Sequence, residues 1–325
     1  MIVAVTGVAG FIGSHLATKL LSLGHSVLGL DNMNDYYDIS LKEYRLSKLN
    51  ELQNFSFIKC HLANKEEVVS ALSSQKVDVV VHLAAQAGVR YSLVNPYSYT
   101  ENNVEAFLNI IEVCRHQKIK RLCFASSSSV YGGLTTYPFK ETMQVDTPIS
   151  LYAATKKANE LMAHTYSHLY DIEMLGFRFF TVYGPMGRPD MALWLFTDAI
   201  TNNRPIKIFN HGNMKRDFTY IDDIISGLVA SIDVSLNSKY EIFNLGNNKT
   251  EKLMDMITYL EEFLGIEAKK DFMPMQAGDV EETYADVSKA GEILGFSPST
   301  NLKTGLKNFV NWYRDEWLPY KETLK

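Results

Sequence analysis

Thr6-Gly-Val-Ala-Gly-Phe-Ile-Gly13 stands directly behind the apolar run Ile2-Val-Ala-Val5 and ahead of a stretch with apolar residues at helical period. A strand, a glycine-rich turn and a helix in that order form the opening unit of a dinucleotide-binding sheet. In such a unit Gly7 allows the tight turn, Gly10 lets the backbone approach a pyrophosphate, and Gly13 lets helix and sheet pack closely. The free N–H groups and dipole of the helix start then favour phosphate charge. Gly7, Gly10, Phe11, Ile12 and Gly13 are the expected contacts of this turn.

Outward from the turn, strand-like and helix-like segments alternate with short breaks, the signature of an α/β, doubly wound parallel sheet. Apolar runs suited to strands buried on both faces cover 2–5, 27–30, 55–59, 77–83 and 121–125. Helical periodicity covers 11–23, 41–52, 65–73 and 97–117. Further strands are expected at 173–178 and 241–245, and helices at 192–202, 221–233, 253–264 and 302–317. Strict alternation ends near residue 180. The division expected is a Rossmann unit over 1–180, with a strand returning near 241–245, and a smaller, interleaved substrate-binding α/β lobe over 181–325.

The 325 residues include 46% hydrophobic and 21% charged side chains, as in a water-soluble globular chain, with a formal charge of -5. That charge gives no general attraction to nucleic acid or to an anionic membrane, so any anionic ligand must be held by local groups. Cys60, Cys114 and Cys123 lie in apolar contexts without metal-type or paired spacing and read as reduced core residues of a cytoplasmic protein. No run approaches membrane-spanning length, and Met1 leads straight into a strand without a basic leader.

Asp31 closes the second strand, eighteen residues after Gly13. A carboxylate there accepts the hydroxyl protons of an adenosine ribose and repels a 2′-phosphate, and no Lys or Arg follows until Lys42, so the cofactor expected is NAD. His82-Leu-Ala-Ala85 ends the fourth strand with small residues, leaving Leu83, Ala84 and Ala85 to run beside the cofactor. The fifth strand leaves through Ser126-Ser-Ser-Ser129, four hydroxyls at the carboxyl edge where open α/β sheets bind ligands. Tyr152 and Lys156 then stand four apart on one helical face. An ammonium beside a phenol makes a base: bringing a tyrosine from about 10 down by ~3 units takes about 4 kcal/mol of phenolate stabilisation. Spacing alone is ordinary for a surface helix; the glycine turn and edge serines give it meaning.

Glycine turn with GxxGxxG spacing, edge serine and Tyr-x-x-x-Lys, in that order, resemble the extended short-chain dehydrogenase/reductase family across essentially the whole chain. Its members are mostly nucleotide-sugar epimerases, dehydratases and decarboxylases. The resemblance implies that Ser127 hydrogen-bonds the reacting hydroxyl, Tyr152 takes its proton, and Lys156 binds the nicotinamide ribose while lowering the tyrosine pKa. It adds Asn32 and Leu62 to the cofactor contacts. Ser128 and Ser129 would line the sugar site; dehydratases carry an Asp-Glu pair there and decarboxylases a Glu at the second position, so two hydroxyls favour epimerisation.

Arg178-Phe-Phe-Thr-Val-Tyr-Gly-Pro-Met-Gly-Arg-Pro-Asp-Met191 resembles the UDP-glucuronate 4-epimerase branch, which implies that Thr181 and Arg188 contact a C6 carboxylate. A planar guanidinium suits both carboxylate oxygens. By the same resemblance Ile208 and Phe209 meet the uracil, Arg216 the diphosphate, and Arg90 the diphosphate or sugar, while His61 replaces the family's adenine-binding Asp. Asp222 and Asp223 read as helix N-terminal charge. The activity implied is interconversion of UDP-glucuronate and UDP-galacturonate through a 4-keto intermediate. Alternatives are 4-epimerisation of a neutral or N-acetylated UDP-hexose, decarboxylation of UDP-glucuronate, or a nucleotide-sensing scaffold without chemistry. The family also implies a homodimer through the 97–117 and 152–170 helices.

Overall fold

A computed structural model of the chain describes residues 1–276 and 278–324. The apolar runs become parallel strands β1 (Ile2–Thr6), β2 (Ser26–Asp31), β3 (Phe55–Lys59), β4 (Val79–His82), β5 (Arg121–Ser127) and β6 (Glu173–Phe179). Four short strands follow, β7 (Thr181–Tyr183), β8 (Ile206–Ile208), β9 (Lys215–Arg216) and β10 (Phe218–Tyr220). Next comes β11 (Tyr240–Leu245), which returns to the main sheet, and then β12 (Glu251–Lys252) and β13 (Lys270–Phe272). The main sheet has the order β11-β6-β5-β4-β1-β2-β3. Strand order reverses between β1 and β4, so a crevice opens at their carboxyl ends. β4 is wholly buried, whereas the edge strand β3 mixes partly covered and exposed residues and has none fully buried.

Helices pack on both faces over two apolar clusters, one including Val5, Leu16 and Phe177, the other Leu28, Phe107 and Phe124. Side-chain caps start two of the early helices: α2 (Ile39–Asn50) begins on Asp38, which accepts from Ser40 N–H, and α3 (Lys65–Ser73) on Asn64, which accepts from Glu66 and Glu67 N–H. The 97–117 stretch, expected as one α-helix, contains a π-helical segment at Thr100–Glu105. There Asn103 Nδ2 donates to Gln86 O and Thr155 Oγ1, both at 3.0 Å, a tertiary demand that outweighs helical periodicity. The expected 302–317 helix likewise gives way to a π segment at Tyr313–Trp317.

Thr6 and His82 tie the carboxyl ends of β1 and β4 together, with Thr6 Oγ1 2.8 Å from His82 Nδ1. Burial drives the His82 pKa down to about 3, with the Lys156 charge adding to the shift, and burial takes His15 down to about 4. Both rings are neutral in the native state, while an unfolded histidine titrates near 6.5. The unfolded chain therefore binds more protons below that value, and stability falls as pH drops from about 6.5. A loss of about 2 kcal/mol per histidine is expected at pH 5, read as a lower denaturant midpoint than at pH 7.5. His15→Asn should flatten the dependence; an unchanged slope would assign it to other groups.

Candidate active site

The glycine turn lies at the sheet crevice, where its geometry leaves no room for side chains. Gly7 has φ +68 and a Cβ there would meet Ala84 N at 2.8 Å; a Cβ at Gly13 would meet Gly7 O at 2.1 Å. Gly10 caps helix α1 (Phe11–Ser22) without a side-chain hydrogen bond, and no acidic residue occupies the first turn. Those N–H groups remain available to an anion. Asp31 accepts from Ala9 N–H at 3.2 Å and Met33 N–H at 2.9 Å. The tight turn, uncapped helix and buried carboxylate fit a dinucleotide, and Asn32, Leu62, Leu83, Ala84 and Ala85 line the same cleft.

Sequence spacing set Lys42 aside as too distant, yet α2 folds back and brings its Nζ to 4.0 Å from Asp31 Oδ1 and 2.7 Å from Asn34 Oδ1. Burial lowers the Lys42 pKa against the opposing pull of Asp31. His61 does not line the cleft that its neighbours Cys60 and Leu62 border; its ring stands 3.6 Å from Glu101.

The helix Leu151–Tyr170 starts on Ser150, whose Oγ accepts from Ala153 N–H at 3.2 Å. Its first turns carry Tyr152 and Lys156 into the cleft, where Lys156 Nζ donates to Ala125 O at 2.8 Å. Burial takes the Lys156 pKa down to about 8. Burial also raises Tyr152, opposed by its hydrogen bond to Ser127 and by the Arg188 charge. Arg188, reaching in from another loop, is thus a second cation beside the Tyr152 phenol, in addition to the Lys156 expected from the sequence.

The four serines are not equivalent. Ser127 Oγ accepts from Ser129 N–H at 3.1 Å, and Ser127, Ser128 and Ser129 line the cleft. Ser126 borders the cleft too, but its hydroxyl is committed to Glu160, donating to Oε1 at 2.6 Å. Glu160 and Arg178 form a buried fork, with Nε and Nη2 each 2.8 Å from a carboxylate oxygen. That fork joins β5, β6 and the Tyr152 helix. Glu160→Gln leaves Arg178 buried without its counter-charge and should cost about 3–5 kcal/mol of stability, measured by denaturant unfolding. A loss under about 1 kcal/mol would show that water or neighbours compensate.

The opposite wall holds Thr181 on β7 and Arg188 in the loop behind it. Arg188 Nε and Nη2 donate to Asp190 at 3.0 and 2.5 Å, and Tyr36 OH donates to the same carboxylate at 3.2 Å. Burial works against the Arg188 charge, and Asp190 more than restores it. Its Nη1 has no protein partner among the described residues. Arg90 stacks over Phe209 at 4.7 Å and pairs with Asp279 at 2.7 Å. Arg216 Nη1 donates to Lys215 O at 2.8 Å and Glu281 O at 3.1 Å, and Arg90, Phe209 and Arg216 all line the cleft. Ile208, expected beside them, is fully buried in the apolar core and does not line it, although its neighbours Ile206, Lys207 and Phe209 do.

The glycine turn, Asp31, the Ser127-Tyr152-Lys156 group, Thr181, Arg188, Arg90 and Arg216 share one cleft of about 1150 Å³. A doubly wound sheet whose switch-point crevice holds a glycine turn, a second-strand carboxylate and a Ser-Tyr-Lys group defines a nicotinamide-dinucleotide enzyme acting on a carbinol. More particularly, the chain belongs to the NAD dependent epimerase/dehydratase family, whose pattern matches residues 3–246. It is 51% identical to an uncharacterized 37.6 kDa protein of Escherichia coli O111:H-, over 96% of this chain and 98% of the relative. It is 44% identical to UDP-glucuronate 4-epimerase of Thermodesulfobacterium geofontis, over 96% and 95%. The crystal structure of UDP-glucuronic acid 4-epimerase from Bacillus cereus in complex with UDP-glucuronic acid and NAD superposes with a TM-score of 0.91 at 35% identity, over 97% of this chain and 99% of that one.

Proposed function

We propose that the chain is an NAD-dependent isomerase that interconverts UDP-glucuronate and UDP-galacturonate. The observation that carries the substrate is the position of Arg188 on the cleft wall facing Tyr152, close enough for its charge to bear on the phenol. The glycine turn and Asp31 would hold NAD, which when bound would supply the hydride acceptor, and afterwards the donor, for passage through a 4-keto sugar.

Around it the chain's own groups bind, orient and move one proton. Tyr152 removes the proton of the C4 hydroxyl and returns it later, with Ser127 orienting the oxygen and Lys156 contacting the cofactor ribose. Arg188 and Thr181 hold the C6 carboxylate. Arg216 and Arg90 take the diphosphate, which leaves the keto sugar free to turn about that linkage and present its other face. Ser128 and Ser129 offer hydroxyls where elimination would need an acid and a base, so the keto form goes only back to an alcohol. Residues 181–325 supply most of the nucleotide wall, with Phe209 beside the base.

Incubation with UDP-glucuronate, UDP-glucose and their N-acetylated analogues, with products resolved, tests this directly. UDP-galacturonate as the main product is expected; a UDP-pentose as main product, or turnover of neutral sugars alone, would overturn it.

Two helices also support a homodimer. Tyr97 and Leu108 are exposed and line one shallow surface groove, and Leu161 and Leu169 are exposed on the neighbouring helix. No helix among the described residues is long and apolar enough to cross a membrane. Cys60, Cys114 and Cys123 are buried and free, in keeping with a cytoplasmic location.

A further inference from the structure

Arg45 on α2 is fully buried, and among the described residues it pairs with no carboxylate. Its guanidinium is committed to two loops. Nη1 donates to Ala9 O at 3.0 Å and to Tyr37 OH at 2.8 Å, Nε and Nη2 donate to Met186 O at 3.2 and 2.6 Å, and Nη2 also reaches Gly187 O at 3.1 Å. A buried cation is costly and an apolar side chain would fill the same volume with less penalty, so a reason for the charge must lie in what it joins. Ala9 sits inside the glycine turn, and its own N–H donates to Asp31. Met186 and Gly187 lead into Arg188. Met186 holds φ +55, a conformation that a non-glycine residue keeps only where its surroundings over-determine it. The two bonds from Arg45 to the Met186 carbonyl do that.

We propose that Arg45 is a positioning residue that sets the placement of Arg188 from the cofactor turn, making dinucleotide binding and carboxylate recognition one mechanical unit. The inference rests on Arg188 being the carboxylate group of the proposed function. A single planar fork spans both loops; lysine, with one nitrogen, keeps the charge and cannot hold both.

The test is a double-substitution cycle on the NAD-loaded protein, with dissociation constants measured for UDP-glucuronate and for UDP. Arg45→Lys should weaken UDP-glucuronate about tenfold and leave UDP within about twofold. In an Arg188→Ala background the same substitution should add less than twofold for UDP-glucuronate. Equal weakening of both ligands, multiplicative effects, or no effect at all would overturn the proposal. If Arg45→Lys does not fold, Arg45→Gln enters the same cycle. Failure of both to fold beside a soluble Arg188→Ala protein would make Arg45 a purely structural group and likewise overturn it. Arg188→Ala alone reports on the underlying reading: if it leaves UDP-glucuronate binding unchanged, the carboxylate assignment fails whatever Arg45 does.

Discussion

Tyr152→Phe is expected to lower kcat for UDP-glucuronate by about 10³-fold, roughly 4 kcal/mol of barrier, while substrate affinity stays within about threefold. The substitution removes one oxygen and keeps the ring, which packs edge-on against Tyr99 with centroids 6.1 Å apart. Thermal stability should therefore hold. Burial raises the phenol and leaves Ser127 and Arg188 as the protein groups that oppose it. Steady-state kinetics with pure NAD-loaded protein check this. Residual turnover within tenfold of the parent would place proton transfer on another group and revive the scaffold or alternative-base readings.

Arg188→Ala should weaken UDP-glucuronate by about 10- to 100-fold, the range of a charge-assisted fork at ~1.5–3 kcal/mol. A second effect distinguishes it from a loss of affinity alone. The 4-keto form of a uronic acid is a β-keto acid and loses CO₂ when its carboxylate bond stands perpendicular to the carbonyl plane. On the proposed function, a carboxylate held by Arg188 and Thr181 is kept out of that alignment, so the variant should release a UDP-pentose by-product absent from the parent. It also strips Asp190 of its partner beside the substrate carboxylate, adding repulsion. Adding Asp190→Asn should recover part of the affinity without suppressing the by-product. Unchanged affinity together with an unchanged product mixture would remove Arg188 from the sugar site.

Local chemistry was legible in the chain; long-range pairing was not. The glycine turn, Asp31 and the Tyr152 helix announce themselves because their meaning lies in spacing within a few residues, and the helices at Lys65–Ser73 and Leu253–Leu264 fall where periodicity puts them. Tyr36 and Asp190 meet across 154 positions, and Arg45 reaches Gly187 across 142, so no window of sequence contains either contact. The only local signal was the Arg188-x-Asp190 spacing, which reads equally well as a solvated loop. Ser126 shows the same limit from the other side: four adjacent hydroxyls look alike until strand alternation and the Glu160 fork separate one of them. The π segment at Thr100–Glu105 answers contacts from Gln86 and Thr155, which periodicity cannot register.

The returning strand has a consequence for how the chain acquires its shape during synthesis. β6 is paired along one side by β5 and along the other only by β11, in register from Tyr240 against Met174 to Leu245 against Phe179. Until Leu245 has emerged from the ribosome, β6 presents an open row of N–H and C=O groups flanked by apolar side chains, a template for the wrong partner. A nascent chain paused before residue 240 is thus the species most exposed to aggregation. The first 180 residues, for all their recognisable nucleotide-binding motifs, are completed as a sheet by a strand encoded well downstream of them.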